Sequence, residues 1–404
     1  MTMDPASSAA FYAALQAAGM PAVPAEFSVV AYHQVVPRTI LRQIAAFLRV
    51  FDSVTAREPW QQAAQRDAPA IAQIRRSENC FFSAWDFHLP PEGGCQLIEF
   101  NDNGSGCLFA AIINATYYRF MSQAQRDMVA LPADTAAIFD HVAAMVRQEQ
   151  AAFPGGPLPG MVLVLDDAGS VRNGRFRREF DLLCAIFRRH GHDAAIASPD
   201  ETSWDGRHLL LHGKAVAFVV NRSTDFFWDA AEFAALRSAY EAGQVYVAPN
   251  PFTYMTRSDK RLLEPLSLPG QDAALGITAA ERATLSAHVP ETHVVRDGNL
   301  DTLAQRKQDF VFKPLHGFAG RGVLDSAAVG HARLRRLARP PEGYVAQRFV
   351  PKPVLEVAGQ KLWVDLRVWA YRGEIFNLSG RASRRGDRLE WTPPGGWVPS
   401  YWEA

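Results

Sequence analysis

The chain has 404 residues, 48% of them hydrophobic, which is enough for two or three packed domains. Its 42 Lys and Arg balance 42 Asp and Glu, so no net charge steers it onto nucleic acid and only a local basic patch would serve that end. No run reaches the roughly 18 apolar residues of a membrane span, and the start MTMDPASSAAFYAALQAAGM lacks a basic leader and a long apolar core. The four cysteines, Cys80, Cys95, Cys107 and Cys184, show no metal-binding spacing and are few for this length, which suits a reduced compartment. The expectation is a soluble cytoplasmic protein with no nucleic-acid or membrane partner.

Residues 1–75 are Ala-rich with helical spacing. Phe11 and Leu15 mark one helix and Ile40 through Phe51 another, with Pro21 and Pro24 between them. This region reads as scaffold or substrate wall. The most informative stretch follows at 81–106, FFSAWDFHLPPEGGCQLIEFNDNGSG. Two strands, 81–89 and 96–101, flank a turn built on Pro90, Pro91, Gly93 and Gly94. With a 90–95 loop Leu89 lies opposite Gln96, and Asp86 opposite Glu99. Alternation puts Glu99 and Asn101 on one face and Ile98 and Phe100 on the other. Directly opposed carboxylates have Cβ atoms roughly 5 Å apart and repel. A cation removes the repulsion, and Mg²⁺ favours a few carboxylates plus substrate phosphates. Asp86, Glu99 and Asn101 are therefore candidate Mg²⁺ ligands; the alternative is a solvated hairpin face. LFAAIINATYYRFM reads as a helix, and the GSG before it is either an anion-binding turn or an ordinary glycine-rich one.

Ala-rich helices continue to about Gln150, and AAFPGGPLPG marks a boundary. MVLVLDDAG then reads as a buried parallel strand. Phe176, Phe180, Leu183 and Phe187 recur at helical spacing before Gly191. AAIASP, KAVAFVVNRS and QVYVAPNP read as strands and AAEFAALRSAYEAG as a helix. This alternation predicts a doubly wound domain at roughly 160–252. Asp166, Asp167, Asn221, Arg222 and Asn250 sit at carboxyl ends of its strands, where ligands gather; they are substrate-site residues or caps and turn residues. His190 and His192 read as surface groups at a helix end. No Ser/His/Asp or Cys/His arrangement stands out.

From about 256 the character changes. Ser258–Leu266 reads as a helix carrying Lys260. In DFVFKPLHGFAGRGV, residues 309–323, an apolar strand ends at Lys313, a loop with Gly317, Gly320 and Gly322 follows, and Val323 resumes a strand. Glycines let backbone N–H groups approach phosphates and the lysine adds charge. The pattern is neither a P-loop nor a dinucleotide fingerprint, and a plain hairpin turn is the alternative. YVAQRFV is another strand. KLWVDLRVWAYRGEIFNLSGRASR, 361–384, is a hairpin about Arg372–Gly373 with Asp365, Arg367 and Trp369 on one face. Arg381 and Arg384 end its second arm, where they grip phosphate or line a solvated edge.

Together these segments resemble the ATP-grasp superfamily. Its usual order is a lysine, a second lysine with a glycine-rich loop, a hinge strand and a late D…E-x-N metal segment. Here Lys260, Lys313, Gly317–Gly322 and Gln347–Val350 keep that order, but the D…E-x-N segment precedes them at 86–101. That is the order of the circularly permuted ATP-grasp proteins similar to glutathionylspermidine synthetase. The resemblance covers about residues 80–395. It implies an α/β and α+β chain: a helical region at 1–75, a permuted metal-binding segment plus helices at 76–150, a Rossmann-like preceding domain at 151–255, and the remaining ATP-grasp module at 256–404. It also implies that strands 81–101 complete the sheet of the late hairpin.

The resemblance assigns roles by position. Lys260 and Lys313 bind the α- and β-phosphates of ATP, and Gly317, Gly320 and Gly322 cover them. Gln347 contacts adenine, often a Glu in relatives, and Val350 offers backbone to the ring. Glu356 reaches the ribose. Asp86, Glu99 and Asn101 hold Mg²⁺. Arg367 and Arg381, with Lys313, stabilise the transferred phosphoryl group. Arg348 replaces a common acid beside the hinge, and Asp102 is an extra acid in the metal segment. The implied function is an ATP-dependent carboxylate–amine ligase working through an acylphosphate, with small-molecule carboxylate and amine partners. The alternatives are a small-molecule kinase on the same site and a non-catalytic nucleotide-binding module.

Overall fold

A computed structural model describes residues 5–21, 28–75, 82–131, 133–317, 322–339, 343–357, 359–386 and 393–404. The described residues form a mixed α/β fold with four sheets. One is antiparallel and joins segments remote in sequence. Its order is Gly396–Val398, Glu374–Ser383, Gln360–Tyr371, Ser83–His88, Gln96–Asn101, and Val354–Val357 also pairs with Gln360–Tyr371. The early hairpin thus lies beside the late one, with Arg367 opposite Asp86 and Asp365 opposite Arg381.

One face of this sheet is apolar. Trp85, Phe87, Leu97, Phe100, Leu366, Val368 and Leu378 pack against the helix Arg38–Thr55, whose Leu41, Ile44, Phe47, Leu48 and Phe51 recur on one side. Trp85 stacks on Phe100 with centroids 3.8 Å apart, and Phe51 meets Trp85 edge-on at 4.7 Å. The other face is polar at one end. At its other end Trp369 and Asn377 meet the segment leading into and through the helix Cys107–Phe120: the Trp369 indole donates to the Gly104 carbonyl at 2.8 Å and Asn377 to that of Cys107 at 2.8 Å.

The hairpin register carries a correction. His88 pairs with Gln96 and Phe87 with Leu97, yet Asp86 still faces Glu99. The difference is a β-bulge at Ile98. One extra residue resets the alternation, so that Leu97 is buried in the apolar core while Glu99, two residues on, turns to the polar face.

A second sheet has the parallel strands Ala194–Ala197, Met161–Leu165, Lys214–Asn221 and Tyr246–Ala248, all apolar and buried on their inner positions. Leu209–Leu211 and Thr202–Trp204 extend it antiparallel. Helices Pro5–Ala17, Cys107–Phe120, Thr135–Ala152 and Arg177–Arg189 share one core with this sheet. A third, antiparallel sheet runs Thr292–Val294, Tyr344–Arg348, Phe310–Pro314. The fourth pairs Ser400–Glu403 with Gln34–Val36 and Val129–Ala130.

Two local expectations change. The stretch around Lys260 is not one helix. A π-helical turn Tyr254–Ser258 gives way at Asp259, whose extended backbone and side chain cap the short turn Lys260–Leu262 before the helix Leu263–Ser267. After the glycine loop no strand resumes at Val323. Leu324 makes a single bridge to Phe312, because Asp325 caps the next short helical turn and redirects the chain.

Candidate functional site

On the polar sheet face four side chains interlock. Arg367 donates from Nε and Nη2 to the two oxygens of Asp86 at 2.6 and 2.7 Å. Arg381 does the same to Asp365 at 2.9 and 2.8 Å, and its Nη2 lies 2.9 Å from Asp86 Oδ2. The cross-strand register causes this. Each arginine faces an acid across the ladder, so planar forks meet carboxylates two-pronged. Burial alone would raise the Asp86 pKa, but Arg367 and Arg381 outweigh it and hold the carboxyl well below the usual range. Burial likewise opposes the Arg381 charge, and Asp365 and Asp86 outweigh it. The sequence places Asp86 among metal oxygens, whereas here both its oxygens are engaged by guanidiniums.

Beside this network sit Glu99 and the two lysines. Lys260 Nζ is 3.5 Å from Glu99 Oε1 and donates to the Gly317 carbonyl. Lys313 donates to Gln347 Oε1 and to the Ile98 carbonyl at 2.9 Å, so the bulge also supplies an acceptor to the buried ammonium. The Gln347 amide nitrogen is buried with no hydrogen-bond partner among the described residues. Burial lowers the Lys313 pKa to about 8, Lys260 adds to the effect, and Glu99 opposes it. The unfolded chain keeps this lysine protonated to about its ordinary value of 10.5. Between pH 8 and 10.5 the unfolded state therefore binds the extra proton, and stability rises with pH. Urea midpoints across this window should climb in the wild type and lose that component in Lys313→Met.

The remaining expected residues are spread further. Val350 is buried, and its carbonyl accepts from His88 Nδ1 at 2.7 Å. Burial lowers the His88 pKa to about 4, so the ring is neutral at physiological pH. Glu356 is exposed on Val354–Val357, opposite Lys361. Gly322 has φ +74°, a left-handed backbone that favours glycine, and its carbonyl accepts from the Tyr344 hydroxyl at 3.2 Å. Gly320 lies outside the described residues.

Glu99, Asn101, Lys260, Gly317, Arg367 and Arg381 line a cleft of about 560 Å³. Its opposite wall holds Asp166, Asp167, Asn221, Arg222 and Asn250, the residues at the carboxyl ends of the parallel strands. Arg222 ties the walls together. It donates to the Asn103 carbonyl and, at 2.8 Å, to Ser105 Oγ, and pairs with Glu179 at 3.2 Å, both side chains buried. Glu179 accepts from the N–H groups of Gly106 and Leu108 at 2.9 and 3.0 Å. The start of the helix Cys107–Phe120 thus has an internal anion, which resolves the reading of the GSG turn. Glu179→Gln leaves Arg222 buried without its counter-charge and should cost about 3 kcal/mol or more in urea unfolding.

Glu179 carries no sequence signal, lying inside an amphipathic helix whose apolar spacing says nothing of its partner. Asp365 does carry one, because it alternates with Arg367 on the strand. Phe226 and Tyr254, stacked at 4.0 Å on the cleft wall, come from a loop and from the start of the short π-helical turn, neither long enough to show periodicity.

No family model matches the chain, and no curated protein matches it in sequence. Among solved structures, a glutathione synthetase-like effector from Globodera pallida in its apo form matches with a TM-score of 0.59 and 11% identity, over 98% of this chain and 96% of its own. A Methylobacillus flagellatus protein provisionally named a gamma-glutamylcysteine synthetase matches at 0.48 and 10% identity, over 89% and 87%. The ATP-grasp ligase PsnB, complexed with minimal precursor, matches at 0.31 and 14% identity, over 61% and 90%. The first shares the overall fold of this chain; the other two superpose too loosely to carry an argument. Among the described residues no helix is long and apolar enough to cross a membrane.

Proposed function

We propose that this chain, which shares the fold of a glutathione synthetase-like effector over 98% of its length, is an ATP-dependent carboxylate–amine ligase. In this reading residues 76–150 and 256–404 form a circularly permuted ATP-grasp module. Residues 151–255 form a Rossmann-like domain that supplies the far wall of the cleft, and residues 1–75 form a helical region. The pairing of Ser83–His88 with Gln360–Tyr371 supports the permuted order. The observation that carries the function is the meeting of Glu99, Asn101, Lys260, Arg367 and Arg381 on one wall of one cleft.

The donor set fits a nucleotide. Lys260, Arg367 and Arg381 on the cleft wall supply positive charge for a triphosphate. Lys313 and the unpartnered Gln347 nitrogen, buried beside each other and outside the lining of this cleft, supply a further charge and a donor for the base. Mg²⁺ fits Glu99 and Asn101, since this ion takes one or two protein oxygens and fills the rest with phosphate and water. When bound, it would neutralise charge on the phosphates. Asp86 belongs to the same motif, and in this reading it acts on Arg367 and Arg381, holding them where the phosphoryl group passes. The carboxylate substrate attacks the terminal phosphorus of ATP to give an acylphosphate. The amine then displaces phosphate. The protein's own work is positioning and charge compensation, and no covalent nucleophile is needed.

The test is product analysis. The purified protein, incubated with ATP and Mg²⁺ over amino acids and polyamines, should release ADP and inorganic phosphate in step with a new amide. A phosphoester with ADP and no free phosphate would instead make it a kinase. Nucleotide affinity should also weaken, by about tenfold or more, as pH rises through about 8 and Lys313 loses its proton. Direct titration of ATP against the protein across that range reads the effect.

A further inference from the structure

The wall facing the cations is mostly committed to its own loops. Asn221 donates to the Pro249 carbonyl at 3.1 Å and accepts from the Ser223 N–H at 3.1 Å. Asn250 accepts from the Thr253 N–H at 2.9 Å and donates to the Val247 carbonyl at 3.0 Å. Asp167 gives one oxygen to the Ser170 N–H at 2.9 Å and the other to its hydroxyl at 2.8 Å. Arg222 directs its two terminal nitrogens to Asn103, Ser105 and Glu179, and its buried Nε, a donor, has no hydrogen-bond partner among the described residues. Asp166 differs. It is 9% exposed, one oxygen accepts from the Asp167 N–H at 2.8 Å, and beyond Asp167 it has no hydrogen-bond partner among the described residues. It stands on the cleft wall at the end of Met161–Leu165, and its carboxyl otherwise meets only the neighbouring Asp167 carboxylate, with which it shares a hydrogen bond.

We propose that Asp166 is the general base of the ligation step, accepting a proton from the incoming ammonium group of the amine substrate. This rests on the ligase reading. The cations hold the negative end of the acylphosphate against the sheet wall, and the wall across the cleft offers a carboxylate to the positively charged nucleophile. One N–H proton passes to Asp166, the freed amine forms the C–N bond, the C–O bond to phosphate breaks, and phosphate leaves with its electron pair and takes up the second N–H proton. Burial, with the Asp167 charge beside it and Arg222 opposing, raises the Asp166 pKa to about 7. A base so placed accepts a proton near neutral pH.

Hydroxylamine separates this step from ATP use, because it is already neutral near neutral pH and needs no base. The full chain is incubated with ATP, Mg²⁺ and the common amino acids as carboxylates. Hydroxylamine is the nucleophile in one arm, and amino acids and polyamines are the amines in the other. Asp166→Asn should form hydroxamate at the wild-type rate, which shows that it is folded and activates the carboxylate, while amide formation falls about a hundredfold or more. The wild-type amide rate should rise with pH and level off above about pH 7, whereas the variant's should keep rising beyond it as the neutral fraction of the amine grows. Equal amide rates in variant and wild type, or parallel loss of hydroxamate and amide, would overturn the assignment of Asp166 alone. No hydroxamate from the wild type would remove the ligase reading and this assignment with it.

Discussion

Glu99→Gln should abolish ATP turnover, by a thousandfold or more, while leaving the fold intact. A loss of that size corresponds to about 4 kcal/mol of transition-state stabilisation. The separation of effects follows from where Glu99 sits. Its side chain is 21% exposed on the cleft wall, and its nearest cation is Lys260 at 3.5 Å rather than a fully buried partner. Glutamine keeps the size and one oxygen but loses the charge that a magnesium ion needs and that offsets Lys260 and Lys313. ADP release under saturating ATP and Mg²⁺ measures the first effect, and a urea unfolding curve with an unchanged midpoint measures the second. Undiminished turnover would remove Glu99 from the metal site.

Asp86→Asn should do the opposite to the fold. Asp86 is 2% exposed and compensates the buried Arg381 and the part-buried Arg367 at once. Removing its charge leaves Arg367 with no other ion pair among the described residues and only the more distant field of Glu179, while Arg381 still has Asp365. The expected cost is about 3–5 kcal/mol in unfolding free energy, because an uncompensated buried charge is strongly destabilising. Turnover falls as well, since Arg367 loses the two-pronged contact that fixes its direction. A variant that unfolds like the wild type but needs far more Mg²⁺ would show Asp86 to be a metal ligand, as the motif alone suggests. Asp365→Asn is the comparison: it strips one partner from Arg381 and leaves Arg367 untouched.

Much of the antiparallel sheet was legible because its strands alternate strictly and its turns carry Pro, Gly and Arg-Gly signals. Asp86 opposite Glu99 followed from such counting, although its Leu89–Gln96 register is off by one residue, and the pairing of two distant hairpins followed from the family resemblance. The parallel strands were legible as short apolar runs between helices. What escaped had a physical reason. The bulge at Ile98 is invisible to a rule of strict alternation, because Leu97 and Glu99 stand two apart in sequence yet face opposite sides of the sheet, which needs an unpaired residue between them. The hairpin Thr202–Trp204/Leu209–Leu211 has three-residue strands, too short for periodicity, although its Asp205–Gly206 turn was a usable signal. The partners of Asp86 are set by cross-strand neighbours rather than by its own segment, so the metal motif alone gives no sign of Arg367 and Arg381. Arg222 and Glu179 meet across the molecule, which no local pattern encodes.

The slip at Ile98 has a consequence for insertions and deletions. Taking out that single residue would join Leu97 directly to Glu99, so that plain alternation keeps Leu97 inward and Glu99 opposite Asp86, and what is lost is the carbonyl that holds Lys313. The extra residue therefore serves the buried ammonium rather than the facing of the acids, and a hairpin shortened there would be expected to keep its pairing and release Lys313.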